Sequence, residues 1–264
     1  MNNSKIAIIS TVINFDLYTK SSQLFPENID RYVIDGRNGM HGIDSIFYMI
    51  KKLKNKNIDW LIMADEDVLF QDSSVIFDII NKMKSDNYSV CGVRDGGVIS
   101  HRIYNPYLIN TFFSIINFKE IKEIWNKSKV IENNYILDNE FNDDLKNIKG
   151  NYDKKSIYEA YYCFYLWLRR KNKKFLFLDA KMNDDQITNS VLYNNKVFLY
   201  HTWYARSYGN NEKHTNRIDT LLKLMKFENN RIYQYVIFKD QKYFVTQKIK
   251  KMYRRFMKRL NNWS

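Results

Sequence analysis

Three consecutive acidic residues, Asp65, Glu66 and Asp67, interrupt an apolar stretch in which residues 59–70 read DWLIMADEDVLF. Alternate side chains of a strand-like segment point the same way, so Asp65 and Asp67 are expected on one side and Glu66 on the other. Two converging carboxylates are hard oxygen ligands, the kind that bind Mg²⁺ or Mn²⁺ together with phosphate oxygens. The alternative is a solvated acidic turn that follows a strand.

The apolar residues around the acidic triplet indicate where it lies in the fold. Residues 60–63 form a continuous apolar run, which is typical of a strand buried on both faces of a parallel or mixed sheet. Ligands of open α/β sheets bind beyond the carboxyl ends of such strands. Because the flanks on both sides are apolar, the carboxylates emerge from the core itself, which favours the metal site over the acidic turn.

Apolar runs and helical periodicity alternate along the chain and predict an α/β sheet domain over residues 1–215. Strands are predicted at residues 5–13, 31–35, 60–63, 88–93, 174–180 and 196–200, and helices at 43–54, 73–84, 156–171 and 216–227. Residues 233–238 are apolar and fit either a strand or a helix. Gly36, Gly39 and Gly42 allow a backbone to approach a phosphate or sugar closely, although their spacing is neither a P-loop nor a dinucleotide fingerprint.

The remaining segments are less regular. Residues 94–97 are predicted to form a turn and residues 98–102 to continue extended. Residues 105–118 contain many apolar side chains without one clear period, so they are expected to line a cleft rather than to form a regular element. Residues 119–155 are polar and are predicted to be a mobile region over the site. Residues 216–264 are predicted to form a C-terminal helical extension.

Composition excludes several classes of protein. The chain has 264 residues, of which 16% are aromatic while only 8 are Gly and 2 are Pro, which argues against a disordered or repeat-rich chain. Cys91 and Cys163 lack metal-ligand spacing and are expected to be reduced core residues of a cytoplasmic protein. The apolar part of the N-terminus is too short for a signal peptide, and no stretch approaches the ~18 uncharged apolar residues of a membrane span.

Most of the positive charge lies at the C-terminus. The net charge is +13, and residues 242–264 contain eight basic residues and no acidic residue. Their apolar residues fall on one helical face, formed by Val245, Ile249, Met252, Tyr253, Phe256, Leu260 and Trp263. This pattern predicts a basic amphipathic helix of the interfacial kind, in which each basic residue contributes ~1 kcal/mol near an anionic leaflet. The alternative is a helix packed on the domain or on a second copy in a homodimer.

Several features together resemble the GT-A glycosyltransferases. They are the first strand KIAIISTVI, the Gly-rich segment before a helix, the strand-borne Asp65-Glu66-Asp67, Glu159 at the start of a helix and His201 at the end of a late strand. More narrowly, residues 4–210 look like bacterial transferases of surface-polysaccharide clusters, of the capsule or O-antigen type. The resemblance implies a Rossmann-like mixed sheet flanked by helices. It also implies transfer of a sugar from a nucleotide-diphosphate donor, with a UDP-sugar favoured, to a glycan or lipid-linked acceptor.

The resemblance also implies roles for individual residues. Asp65 and Asp67 match a D-x-D motif that holds Mn²⁺ or Mg²⁺ against the donor diphosphate, and the first aspartate of the motif also touches the ribose. His201 matches a late metal-ligating histidine, with a packed histidine beside Trp203 and Tyr204 as the alternative. His41, His101 and His214 are weaker candidates. Residues 119–155 would lie on the acceptor side, and a lipid-linked acceptor would place the enzyme peripherally on the inner face of the cytoplasmic membrane.

A general base is needed if the reaction inverts the anomeric centre, whereas a retaining reaction needs none. Glu159 matches the position of such a base at the start of a helix. The alternative is a structural role, because Ser156 and Glu159 have the spacing of a capping box. Asp95 is the other candidate, as a base or an acceptor ligand, and it is otherwise a plain turn residue.

The donor's base and ribose are assigned by position to Thr11, Asp35 and Arg37. Arginine forks suit phosphate, so the candidates for the diphosphate are Arg94, Arg102 and Arg206, with ordinary surface arginines as the alternative. Two other functions stay open. One is a nucleic-acid-binding protein or metal-dependent nuclease, although such modules spread basic residues along a groove rather than in one terminal helix. The other is a non-catalytic nucleotide-sugar binder.

Overall fold

The computed structural model describes residues 5–225 and 233–261. Within these ranges ten strands form one mixed sheet in the order β10-β2-β1-β3-β6-β5-β7-β8-β9-β4. The strands are β1 Ile6–Val12, β2 Asp30–Asp35, β3 Trp60–Ala64, β4 Val68–Phe70, β5 Tyr88–Arg94, β6 Ile109–Asn117, β7 Lys174–Met182, β8 Asn189–Tyr193, β9 Lys196–His201 and β10 Val236–Phe238.

Helices flank this sheet, as the sequence predicted. They are α1 Phe15–Ser21, α2 Gly42–Leu53, α3 Val75–Ser85, α4 Phe118–Ile124, α5 Lys127–Glu132, α6 Tyr162–Arg170, α7 Glu212–Leu224 and α8 Tyr243–Asn261. Alternate residues of β1 and β3 enter two different core clusters, one shared with α2 and α6 and the other with α3. The predicted mixed α/β sheet with helices on its faces is therefore confirmed.

Strand direction brings several strand ends to one edge of the sheet. β2, β1 and β3 are parallel, with Val12 opposite Asp35 and Ile9 opposite Met63. β6 is antiparallel to β3 and begins where β3 ends, with Phe113 opposite Ala64. β5 is in turn antiparallel to β6, so it also ends at this edge. Side chains that follow β1, β3 and β5 thus gather at the same place.

β6 corrects the expectation that residues 105–118 form no regular element. They contain a nine-residue strand between β3 and β5, and most of its side chains are buried. A strand that is buried on both faces has no alternating pattern, which explains why the sequence shows no clear period. β8 was also not predicted.

The acidic triplet does not continue β3 as a strand. The Val68 amide donates to the Asp65 carbonyl oxygen at 3.1 Å and closes a turn, after which the chain enters β4. β4 pairs antiparallel with β9. The strand alternation expected for Asp65, Glu66 and Asp67 is therefore wrong, and a turn brings all three to one cavity.

The helix predicted at residues 156–171 begins later, at Tyr162. The residue before its first turn is Tyr161, so Ser156 and Glu159 do not form a capping box. Long-range contacts hold this segment out of the helix, because Asn105 Nδ2 donates to the Ser156 carbonyl at 3.0 Å and Arg102 binds Glu159. Residues 98–102 also form a turn rather than an extended segment, closed by the Arg102 amide on the Ile99 carbonyl at 2.9 Å.

Other boundaries differ less. Asp72 accepts the Ser74 amide at 3.0 Å, and α3 begins at Val75. α7 begins at Glu212, earlier than predicted, because Asn211 caps it by accepting the His214 amide at 3.1 Å. The predicted end of that helix, at residue 227, lies outside the described residues.

The C-terminal part contains both a strand and a helix. β10 joins the sheet by pairing with β2, which decides between the two interpretations of residues 233–238. α8 confirms a helix over most of residues 242–264, although the last three residues lie outside the described ranges. None of the helices in those ranges has the length and apolar character needed to cross a membrane. The division at residue 215 stays a prediction.

Candidate functional site

A cavity of about 590 Å³ lies at the sheet edge where β1 and β3 end and β6 begins. Thr11 comes from β1, the three acids follow β3, and Asn110 comes from β6. This volume is within the range of roughly 300–1,000 Å³ that small-molecule sites occupy. Its position also matches the carboxyl-end crevice in which open α/β sheets bind ligands.

Backbone and side-chain bonds fix the acidic turn against the end of β1. The Asp65 amide donates to the Phe112 carbonyl at 2.9 Å. The Glu66 carboxylate accepts the amides of Ile13 at 2.9 Å and Asn14 at 3.2 Å. Glu66 therefore holds the turn in place, while Asp65 and Asp67 have side chains free for another partner.

The Asp65 and Asp67 carboxylates are poorly compensated. No donor among the described residues bonds the Asp65 carboxylate, and the ion-pair contact described for the Asp67 carboxylate is His201 Nε2, at 3.5 Å. Burial, together with the charges of Asp67 and Glu66, raises the pKa of Asp65 well above its usual value. Burial and then the charge of Asp67 raise the pKa of Glu66 to about 7. A bound cation would relieve this repulsion.

His201 ends β9 beside the acidic turn and opposite Val68. Its side chain is buried, its ring stacks on Phe112 at 4.0 Å, and Trp203 lies 4.2 Å away. Its Nδ1 is buried without a hydrogen-bond partner in the described part of the chain. His201 is therefore packed against aromatic rings and also has a ring nitrogen without a described partner. Neither of the two alternatives, a packed histidine or a metal ligand, rules out the other.

The donor set fits a divalent cation only in part. Carboxylate oxygens and an imidazole nitrogen are ligands of the right chemistry for Mn²⁺ or Mg²⁺. Among the described residues, however, no group of three or more His, Cys, Asp or Glu side chains is arranged to hold a metal ion. Asp65 and Asp67 could hold the ion, and His201 lies beside Asp67 without completing a ready set of three.

Asp95 does not line the cavity. It is 0% exposed, and Arg102 binds both of its oxygens at 2.7 Å. Asn110 Nδ2 also donates to it at 2.7 Å, as do the hydroxyls of Tyr161 at 3.0 Å and Tyr162 at 2.5 Å. Both oxygens of the Asp95 carboxylate are therefore occupied by hydrogen bonds. Asp95 anchors the residues that lie beneath the cavity wall.

Glu159 and Arg102 line the cavity wall above Asp95. Arg102 Nη2 donates to Glu159 Oε1 at 2.7 Å, and the Glu159 side chain is 27% exposed. No donor among the described residues bonds Oε2 of Glu159. Arg102 therefore bridges two carboxylates and holds Glu159, in the cavity wall, next to the buried Asp95.

The other predicted residues are divided between the cavity and its surroundings. Thr11, Arg206 and His41 line the cavity. Asp35 and Arg37 do not, and they pair with each other at 2.8 Å at the end of β2. Hydrogen bonds from Arg37 lower the pKa of Asp35.

Three further candidates lie outside the cavity. Arg94 packs over the Phe177 ring at 3.5 Å and lines a second cavity of about 460 Å³. His101 packs on Trp203 at 4.6 Å, and His214 stacks on Tyr204 at 4.2 Å. No described residue between 119 and 155 lines the large cavity, and the mobility of that region stays a prediction.

The sequence did not single out Trp203 and Tyr204 as wall residues. Both line the cavity, and both have φ of 58°, in the left-handed region that bulky residues rarely adopt. The Thr202 amide and hydroxyl bind the Asp67 carbonyl at 3.0 and 3.1 Å, which ties this segment to the acidic turn. The sequence feature that could have identified these wall residues is the aromatic run HTWYARSYG, which directly follows a predicted strand.

Comparison with known proteins gives fold likeness only. No protein-family model matches the chain, and neither does any curated protein. A197 from STIV is 12% identical with a TM-score of 0.36, over 74% of this chain and 96% of that one. Mouse xyloside xylosyltransferase 1 is 10% identical with a TM-score of 0.37, over 67% of this chain and 85% of that one.

The mannosyltransferase PcManGT from Pyrobaculum calidifontis was solved with GDP-Man and Mn²⁺. It is 7% identical with a TM-score of 0.29, and the match covers 46% of each chain, so this protein spans less than half of that enzyme. Glycosyltransferases are thus among the solved structures that the α/β fold resembles. TM-scores below 0.5 assign no family, and any function has to be argued from the site.

Proposed function

We propose that the chain is a glycosyltransferase that moves a sugar from a nucleotide-diphosphate donor, with a UDP-sugar favoured, and that depends on Mn²⁺ or Mg²⁺. The observation that carries this proposal is the pair of carboxylates in the large cavity, the half-buried Asp65 and the buried Asp67, which lack a lysine or arginine partner among the described residues. No arginine or lysine among the described residues forms an ion pair with either carboxylate, which favours a bound divalent ion, and a diphosphate is the natural second partner of that ion.

The chemistry of sugar transfer explains why such a site is useful. A bound cation would stabilise the negative charge that develops on the leaving diphosphate. Asp65 and Asp67 would hold that cation, and His201 lies close enough to Asp67 to contribute its imidazole. The cavity wall of Trp203 and Tyr204 would keep water away from the reacting centre.

The donor would extend from the acidic turn toward β1. Thr11 lines the cavity there and is proposed to contact the nucleoside. Asp35 and Arg37 lie at the neighbouring strand end, where Asp35 is opposite Val12, and they would meet only the outer part of the donor. Arg206 lines the cavity, is exposed and has no described ion-pair partner, so it is the arginine best placed for the diphosphate.

Glu159 is proposed as the general base of an inverting transfer, because it lines the cavity and keeps one oxygen without a described donor. The acceptor hydroxyl oxygen bonds to the anomeric carbon as the bond from that carbon to the diphosphate oxygen breaks. The hydroxyl proton passes to Glu159, and the nucleoside diphosphate leaves with the electron pair. Asp95 would position this base through Arg102.

The acceptor is proposed to be a surface glycan, or its lipid-linked precursor, met at a membrane. The apolar side chains of α8 are exposed at Phe244, Val245, Ile249, Met252 and Tyr253. The helix is joined to the cavity region, since Tyr243 OH donates to Asp44 at 2.6 Å in the first turn of α2. An anionic lipid surface suits both its apolar face and its excess of positive charge.

A thermal-shift screen tests the donor site. UDP, GDP, CMP and dTDP sugars are added with and without Mn²⁺ to the wild type, Asp67→Asn and the control Glu123→Gln, which alters an exposed helix residue. A ligand that binds the native state raises its apparent stability. The proposal expects a Mn²⁺-dependent rise with one nucleotide in the wild type and control but not in Asp67→Asn. No rise with any nucleotide would contradict it.

A further inference from the structure

Two stacked tyrosines form an exposed surface beside the cavity. The rings of Tyr104 and Tyr158 are 4.2 Å apart and inclined by only 5°. Tyr158 is 66% exposed and directly precedes Glu159, while Tyr104 follows Arg102 by two positions. Arg102 and Glu159 line the cavity whereas neither tyrosine does, so the tyrosine pair lies next to the cavity wall.

The residues that directly precede the two tyrosines are also apolar and exposed. They are Ile103 and Ile157. Exposed apolar residues that group together are a common feature of interaction sites. Arg102 and Glu159 lie beside these residues. Arg102 supplies hydrogen-bond donors and Glu159 supplies an acceptor.

The tyrosine pair is held rigidly by its supports. The Arg102 guanidinium lies 4.5 Å over the Tyr104 ring and is itself fixed on Asp95. Buried Asn105 joins the two segments by donating to the carbonyls of Lys154 at 3.1 Å and Ser156 at 3.0 Å. A surface that is already ordered loses little conformational entropy when it binds a ligand.

The position of the pair relative to the sheet indicates which ligand it meets. Along the sheet edge, Thr11 on β1 lies on one side of the acidic turn after β3. β6 and β5, with Asp95 and Arg102 beyond β5, lie on the other side. A donor bound over β1 and the acidic turn would leave the tyrosine side open.

We propose that Tyr104 and Tyr158 form the subsite for the acceptor, and that the occupant is the sugar ring that receives the transferred unit. A pyranose has a C–H face that packs on an aromatic ring and a rim of hydroxyls that both donate and accept hydrogen bonds. The exposed Tyr158 ring meets the face, and Glu159 and Arg102 meet the rim. This subsite rests on the proposed transferase function.

Saturation-transfer difference NMR tests the subsite directly and needs no donor. The probes are methyl α- and β-pyranosides of glucose, galactose, mannose and N-acetylglucosamine. The variants are Tyr158→Ala, the conservative Tyr158→Phe and Tyr135→Ala, which removes a comparably exposed tyrosine outside the cavity. At least one glycoside is expected to bind the wild type, with affinity about fivefold to tenfold weaker in Tyr158→Ala and retained in the other two.

The outcomes separate the subsite from the donor proposal. Saturation of ring C–H protons that is lost only in Tyr158→Ala supports the subsite, and the nucleotide-dependent thermal shift of that variant should equal the wild-type shift. Absence of glycoside binding, or binding that Tyr158→Ala leaves unchanged, overturns the subsite even where nucleotides bind. Tyr158-dependent glycoside binding without any nucleotide shift would instead retain a sugar site and remove the transferase.

Discussion

Glu66 is the residue at which the energetics of the acidic turn are most easily tested. Its carboxyl is 5% exposed, lies between two other acids and accepts the amides of Ile13 and Asn14. Glu66→Gln keeps the size of the side chain and the oxygen that accepts both amides, while it removes the charge. The substitution therefore changes the electrostatics of the turn with little change in packing.

The direction of the effect follows from proton binding. The pKa of Glu66 rises from 4.5 to about 7 in the folded protein. Between these values the folded state holds a proton on Glu66 that the unfolded chain has released, so the contribution of Glu66 to the free energy of unfolding falls as pH rises and is constant above about pH 7. One pKa unit corresponds to about 1.4 kcal/mol, and the loss therefore amounts to about 3 kcal/mol. Glu66→Gln should unfold with the wild-type free energy at low pH and a free energy about 3 kcal/mol higher at pH 8.

Chemical denaturation with urea, followed by intrinsic fluorescence in buffer containing EDTA, measures this difference at a series of pH values. Glu123→Gln is the matched control, because it makes the same exchange at an exposed position on α4. Its free energy of unfolding should follow the wild-type curve. The reasoning is refuted if Glu66→Gln is no more stable than the wild type at pH 8, or if wild-type stability does not fall between pH 5 and pH 8.

Two further substitutions test other parts of the account. Asp95→Asn keeps the shape of the buried anchor but leaves the partly exposed Glu159 as the remaining described counter-charge of Arg102. The free energy of unfolding by urea should therefore fall by about 3 kcal/mol; an unchanged value would show that the network is not needed. Lys248→Gln combined with Lys250→Gln removes two exposed charges of α8, which at ~1 kcal/mol each should weaken sedimentation with phosphatidylserine vesicles about thirtyfold. Equal binding of the wild type to neutral vesicles, or a dimer in light scattering that Ile249→Asp dissociates, would contradict the membrane proposal.

Local sequence pattern was sufficient for the elements that form the site edge. The apolar runs of β1, β3 and β5 and the periodicity of α2 are local properties, and the structure has those elements where the pattern indicates. The same pattern failed for β6, because burial on both faces removes alternation. The β8–β9 hairpin had a sequence signal in the dipeptide Asn194-Asn195, because Asn is favoured in two-residue hairpin turns. Both residues adopt positive φ in the turn between the strands.

The site required contacts that sequence does not reveal. The acids were correctly placed after a buried strand, but the turn closed by Val68 replaces the expected alternation. Helix α6 starts late because Arg102, which is 57 residues away from Glu159, competes for that carboxylate. Asp95 looked like a turn residue or a base, and only its tertiary partners show it as a buried anchor.

The most direct test of the central claim is release of nucleoside diphosphate from its sugar donor, quantified by liquid chromatography. The donor identified by thermal shift is incubated with the wild type, Asp67→Asn and Glu123→Gln, each with Mn²⁺ or EDTA. The account predicts Mn²⁺-dependent release by the wild type and the control, and none by Asp67→Asn. Binding of the nucleotide without release by the wild type, even with the methyl glycosides present as acceptors, would contradict a transferase and indicate a nucleotide-sugar binder.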